Sequence, residues 1–215
     1  MMYSSTGHIG VMIPQKTLKA VLASDDDENT VDRFIDLQRC MEGYFKRVLL
    51  IALRLQGAQY KASKKIAENN GLHLENLIDK ALYLLHEPAV NNQVKVIREL
   101  EEKYSDFKIL KDLFLKFTAV ARNKYSHGAF AGFSNEQLFL LCHVNRSFFK
   151  EFENVLSTEF GNSVFNEPKD WGAKKGAYKE IEEVRDELNV GINPKTLLDE
   201  SEVKEKLEDT PYAIP

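Results

Sequence analysis

Apolar residues recur at spacings of three and four through most of the first 160 positions, the period of amphipathic helices rather than the alternation of strands. Asn29 or Thr30 is suited to cap a long helix through Leu55, whose stripe is Val31, Phe34, Ile35, Met41, Phe45, Val48, Leu49 and Ala52. Gln56-Gly57 ends it. Shorter helices are predicted over Lys61 to Asn69, stopping at Asn70-Gly71, and over Leu74 to His86, before Pro88. Gln93 to Tyr104 follows, with Val94, Ile97 and Leu100 apolar. Ser105 or Asp106 then caps an amphipathic run, Phe107 to Ala121, that continues to Gly128. Ser134 with Gln137 makes a capping-box pattern opening a helix through Leu138, Leu141, Val144, Phe148, Phe152 and Leu156. The expected fold class is all-α, an antiparallel helical bundle.

Beyond Gly161 the periodicity weakens. Trp171, Lys174 and Lys175 lead into one charged helical stretch, Tyr178 to Leu188, and Leu198 to Pro215 holds too few apolar residues for a core of its own. That last segment is expected to be mobile or to dock on a partner. The chain therefore divides into an N-terminal extension (1–28), a helical domain (29–160) and an acidic, partly helical C-terminal extension (161–215).

Charge sharpens this division. The net charge is −4, yet residues 167–215 hold thirteen acidic and eight basic side chains, while residues 29–166 hold 19 basic and 16 acidic ones. A mildly basic body suits an RNA-facing surface and argues against holding nucleic acid by bulk charge alone. The acidic tail, if loose, either acts as a weak electrostatic brake on that surface or, the commoner case, is a solvated tail that keeps the chain in solution. Cys40 and Cys142 both fall in apolar helical runs, as buried free thiols of a reducing cytoplasm would. No run approaches a membrane span, and Lys16 and Lys19 interrupt the only stretch resembling a leader. The expected location is cytoplasmic.

The candidate chemistry lies at the end of the fifth predicted helix. Arg122-Asn123-Lys124-Tyr125-Ser126-His127-Gly128 places a permanent cation, an amide and a titratable imidazole within one and a half turns. An Arg binds phosphate oxygens in bidentate fashion, and an imidazole near its ordinary pKa moves protons at neutral pH. A structural use of the same residues stands beside this one: Arg122 contacting the helix dipole or a neighbouring carboxylate, His127 capping carbonyls. Lys124 is suited to contact phosphate and Tyr125 to stack on a base, though a solvated lysine and a packed tyrosine are the commoner roles. His8, His73, His86 and His143 are scattered, without HExxH or paired Cys-His spacing, and no phosphate-binding glycine loop occurs. His143 is expected to be a hydrogen-bonded core residue. Lys61, Lys64 and Lys65 form a small basic patch of the kind usually left in water.

Arg122, Asn123 and His127, with four residues between Arg and His near the end of a long helix, resemble the signature of the HEPN superfamily over roughly residues 29 to 160. The resemblance implies a helical, metal-independent endoribonuclease that needs no cofactor. It also implies a homodimer in which two motifs meet, so that two arginines and two histidines line one cleft. Phe130 and Phe133, in the loop Gly128 to Phe133, are then expected near the dimer contact or else covering the end of the bundle. A toxin or antiviral defence role follows, with RNA as substrate and an antitoxin or other regulatory protein as restraining partner. The competing expectation is a noncatalytic helical module using the same groove to bind RNA, nucleotide or protein.

Overall fold

The computed structural model describes residues 31–68, 73–86, 92–126, 133–161 and 199–213, with the side chains of residues 32 and 124–126 outside that description. Every regular element among the described residues is helical. In chain order these are α1 (Val31–Leu55), α2 (Tyr60–Ala67), α3 (Leu74–Leu85), α4 (Gln93–Lys103), α5 (Ser105–Leu113), a π-helical turn (Phe114–Thr118), α6 (Ala119–Ser126), α7 (Asn135–Phe160) and α8 (Glu200–Glu208). The all-α class expected from periodicity is what the chain adopts.

The helix ends follow from local chemistry. Gly57, at φ +91°, turns the chain out of α1 while the Ala58 N–H reaches back to the Leu53 carbonyl at 3.1 Å, satisfying a carbonyl the helix would otherwise orphan. Both halves of the capping box at Ser134 and Gln137 form, so α7 begins where the sequence places it. It ends at Gly161, φ +66°, in the left-handed region that glycine enters without a Cβ penalty.

α1 and α7 carry the core. Tyr44 and Phe45 of α1, Phe107 of α5, Phe114 of the π-turn and Phe148 and Phe152 of α7 are all but fully buried. Their rings meet edge-on or tilted, with Phe114 and Phe148 centroids at 4.9 Å and Phe45 and Phe152 at 5.1 Å. Such pairs add roughly 0.5–1.5 kcal/mol beyond the area they bury. The contacts also fix direction. Tyr104 at the start of α5 bonds Glu159 at the end of α7, and Phe114 beyond the end of α5 meets Phe148, so these two helices are antiparallel. Gln38 bonds Asn145 and Tyr44 bonds Glu153, so α1 runs beside α7 in the same sense.

Two expectations change at this level. On α4 the buried side chains are Val96, Ile97 and Leu100, whereas Val94 is 76% exposed. Val94 stands in the first turn, and the buried side chains begin only at Val96. The C-terminal segment is the larger correction. Val203 and Leu207 of α8 lie buried in the main core, and α8 packs on α5 and α7. Two apolar residues would be too few for an independent core but suffice to complete an existing one. Polar contacts fasten the segment on both sides: Lys116 Nζ to Glu202 at 2.6 and 2.7 Å, Gln137 Nε2 to Glu200 at 2.6 Å, and Tyr212 Oη to Glu151 at 3.1 Å. Residues 162–198, which include Trp171 and the Tyr178–Leu188 stretch, are outside the described residues.

Candidate functional site

The run from Ser105 to Ser126 was expected to be one α-helix, and a π-helical turn divides it. The Ala119 N–H bonds the Phe114 carbonyl five residues back, and Thr118 Oγ1 donates to the same carbonyl at 2.6 Å. Phe114, Phe117 and Thr118 are buried, so the widened turn sits in the core and its extra residue resets the angle at which α6 leaves. Lys116 leaves this turn towards Glu202.

α6 rests on α1, and Arg122 is the residue that joins them. Its Nη2 lies 2.8 Å from Glu42 Oε2. Glu42 Oε1 in turn lies 2.5 Å from Lys46 Nζ, one helical turn further along α1. The three side chains are about equally half-buried, at 30% exposure for Arg122, 26% for Glu42 and 17% for Lys46. One carboxylate thus lies between two cations, each oxygen committed to a different one, and the group carries a net charge of +1.

Arg122 Nη1 also donates to Asn123 Oδ1 at 3.2 Å. This bond leaves the Asn123 amide donors directed elsewhere, and the residue is exposed. The structure therefore bonds Arg122 to its neighbour Asn123 midway along α6. Lys124, Tyr125 and Ser126 continue the helix, while His127, Gly128 and Phe130 are outside the described residues. Phe133 is partly buried and packs against the chain's own core, as one of the two expectations for the loop had it.

The neighbouring-carboxylate contact that the sequence left open for Arg122 is made, and its partner was not foreseen. Glu42 and Lys46 form an ordinary Glu-to-Lys pair four apart, a pattern that stabilises any exposed helix. Nothing in the sequence ties that pair to an arginine eighty positions away. Two of the remaining histidines, His143 and His86, make contacts within the fold. His143 is half-buried, its Nε2 2.6 Å from the Tyr212 carbonyl and its ring stacked on Phe139, while His86 meets the Phe160 ring edge-on. Lys64 pairs with Glu68 at 3.6 Å.

Both cysteines are buried and free, as expected. Burial, with Asp36 adding to it, pushes the Cys40 thiol up to about 11, and burial pushes Cys142 up to about 12 despite Arg33. Neither has thiolate character at neutral pH. Among the described residues no group of three His, Cys, Asp or Glu side chains is placed to hold a metal ion, and no helix is long and apolar enough to cross a membrane. No family model matches the chain, and neither a curated protein nor a solved structure does.

Proposed function

We propose that the chain is a metal-independent endoribonuclease of HEPN type, acting as a homodimer on RNA and serving as a toxin or antiviral defence effector. The observation that carries it is the pairing of the partly exposed Arg122 with the exposed Asn123 midway along α6, about one turn before His127 in sequence. RNA supplies its own nucleophile, so the protein need only move protons and neutralise charge. His127 of one copy takes the proton of a 2′-hydroxyl, whose oxygen bonds the adjacent phosphorus as the P–O5′ bond breaks. His127 of the second copy returns a proton to the departing 5′-oxygen, leaving a 2′,3′-cyclic phosphate and a free 5′-hydroxyl. Arg122 stabilises the extra negative charge on the non-bridging oxygens, and Asn123 orients the phosphate or the imidazole.

The test is incubation of purified protein with total RNA in excess chelator. Cleavage is expected from the wild type and is expected to fall by about 100-fold or more in Arg122→Ala and His127→Ala with helicity unchanged. Lys124→Ala should matter much less. Wild-type cleavage by either Arg122→Ala or His127→Ala, with the fold intact, overturns the assignment. A protein that stays monomeric at micromolar concentration and still cuts RNA overturns the composite site. The second reading, a noncatalytic binding module, is favoured by the engagement of Arg122 with Glu42, which is also how a structural cross-link between α6 and α1 would look. Binding without cleavage under the same conditions selects it.

A further inference from the structure

We infer that Lys46 and Glu42 belong to the Arg122 site: Arg122 and Lys46 together clamp one RNA phosphate, and Glu42 is an internal stand-in for that phosphate which the RNA displaces. The inference deepens the proposed function and rests on it for the choice of RNA as ligand. Its geometry is independent of His127.

Glu42 presents one oxygen to each cation, Oε2 to Arg122 at 2.8 Å and Oε1 to Lys46 at 2.5 Å. The two oxygens of a carboxylate lie about as far apart as two non-bridging oxygens of a phosphate, and both groups accept from the planar fork of Arg and the point charge of Lys. Cations spaced for the first are therefore spaced for the second. They come from different elements, Lys46 from α1 and Arg122 from α6, so their separation is set by helix packing rather than by one flexible segment. The surplus positive charge is the second argument. The group keeps a net charge of +1 with part of each side chain open to solvent, so an anion that takes the place of Glu42 meets two cations. The third is accessibility: Glu42 is 26% exposed and Arg122 30%, so an incoming anion can reach the pair from the solvent side.

Binding to a 2′-O-methyl RNA oligonucleotide, which lacks the nucleophile and so cannot be cut, tests this without reference to catalysis. Fluorescence anisotropy at low salt compares the full-length wild type with Lys46→Gln, Lys46→Arg, Glu42→Gln and Asp36→Asn. Asp36 is the control, because it is also a carboxylate of α1 in an ion pair, with the exposed Arg39 at 3.3 Å, and its loss changes net charge equally. Lys46→Gln should weaken binding about tenfold and lower the salt slope by about one phosphate contact, and Lys46→Arg should restore both. Glu42→Gln should tighten binding roughly threefold beyond Asp36→Asn, the scale of an ion pair that no longer has to be broken.

Wild-type affinity and slope in Lys46→Gln overturn the inference, as does equal tightening by Glu42→Gln and Asp36→Asn, or no binding of the oligonucleotide by the wild type. The outcome is separable from that of the proposed activity. This pattern of binding in a protein that leaves unmodified RNA intact upholds the clamp and removes the nuclease; chelator-resistant cleavage with Lys46→Gln indifferent does the reverse.

Discussion

Among the charge clusters that join helices in the described residues, the one around Lys111 and the one around Glu42 are built with opposite arithmetic. At one, Lys111 of α5 lies 2.6 Å from Asp79 of α3 and 2.7 Å from Glu101 of α4, with its side chain only 4% exposed. At the other, Glu42 of α1 lies between Arg122 and Lys46 and all three reach solvent. The first is one cation among carboxylates, negative in balance around an almost fully buried ammonium; the second is one carboxylate among cations, positive in balance and with its carboxylate partly exposed. Burial works against the Lys111 charge, but the carboxylates outweigh it and hold the ammonium above its ordinary value. Burial likewise raises Asp79, and the one shared lysine does not fully offset it. With its cation enclosed, the Lys111 group ties α3, α4 and α5 together. The Arg122 group holds α6 to α1 as well, and its net charge of +1 is what the proposed phosphate clamp draws on.

That contrast is broken most directly by removing one cation from each. Arg122→Ala should cost under about 1 kcal/mol of stability, the range of partly exposed ion pairs, while cleavage falls by about 100-fold or more. Lys111→Ala should cost about 3–5 kcal/mol, lowering Tm by about 10 °C, because it strands Asp79 and Glu101 in a space built for a cation. Calorimetry on the two proteins decides it, and equal losses of stability would erase the distinction. Lys111→Met, which fills the volume but leaves the carboxylates, should fall nearer the alanine variant than the wild type.

The next effect concerns the docked C-terminal helix. Leu207→Ala should destabilise the attachment of α8 by about 2–4 kcal/mol, since the side chain is fully buried against the main core. Limited proteolysis between residues 199 and 213 should accelerate well before the rest of the chain unfolds. A brake by a loose acidic tail is not needed to explain this segment, because its carboxylates Glu200 and Glu202 are already engaged with Gln137 and Lys116. Protease resistance unchanged from wild type would mean that α8 is held by its polar contacts instead.

The smallest expected effect is on pH dependence. Burial, helped by Asp79, raises Glu75, and burial, helped by Glu101, raises Asp112, alongside the raised Asp79. A carboxyl whose folded value is raised binds its proton more readily when folded, so its contribution to stability grows as pH falls from neutral towards the carboxylate range. Glu202 moves the other way, its carboxylate held low by hydrogen bonds from Lys116 and Lys206, and its contribution is lost as pH falls through its depressed value. The urea midpoint should therefore rise slightly between pH 7 and the upper edge of the carboxylate range before acid unfolding sets in. Asp79→Asn should flatten that rise, and an unaltered profile in this variant would place the titration elsewhere.

How far the sequence carried depended on distance along the chain. The helix spans, the capping box at Ser134 and the glycine endings at Gly57 and Gly161 were legible because each is settled by residues within four or five positions. The candidate motif was legible for the same reason. The break at Phe114–Thr118 was not, because nothing local distinguishes FLKFT from ordinary helix; the turn widens to fit Phe114 and Phe117 into a core built by α1 and α7. Glu42 and Lys46 were invisible because their partner is far away in sequence, and Val203 and Leu207 because two apolar residues signal little until a core awaits them.

The widened turn has one consequence for how this chain should be compared with others. A π-helical turn is an α-helix with one residue too many, so α5 and α6 form a single rod carrying two azimuthal phases about 100° apart. Counting in steps of 3.6 from Phe107 misplaces Arg122 by a full helix face; counting from Ala119 does not. In any chain that keeps the motif but lacks the surplus residue, core and site remain superposable only across a one-residue gap at positions 114–118. An ungapped alignment would match the motif at the expense of the aromatic core, or the core at the expense of the motif.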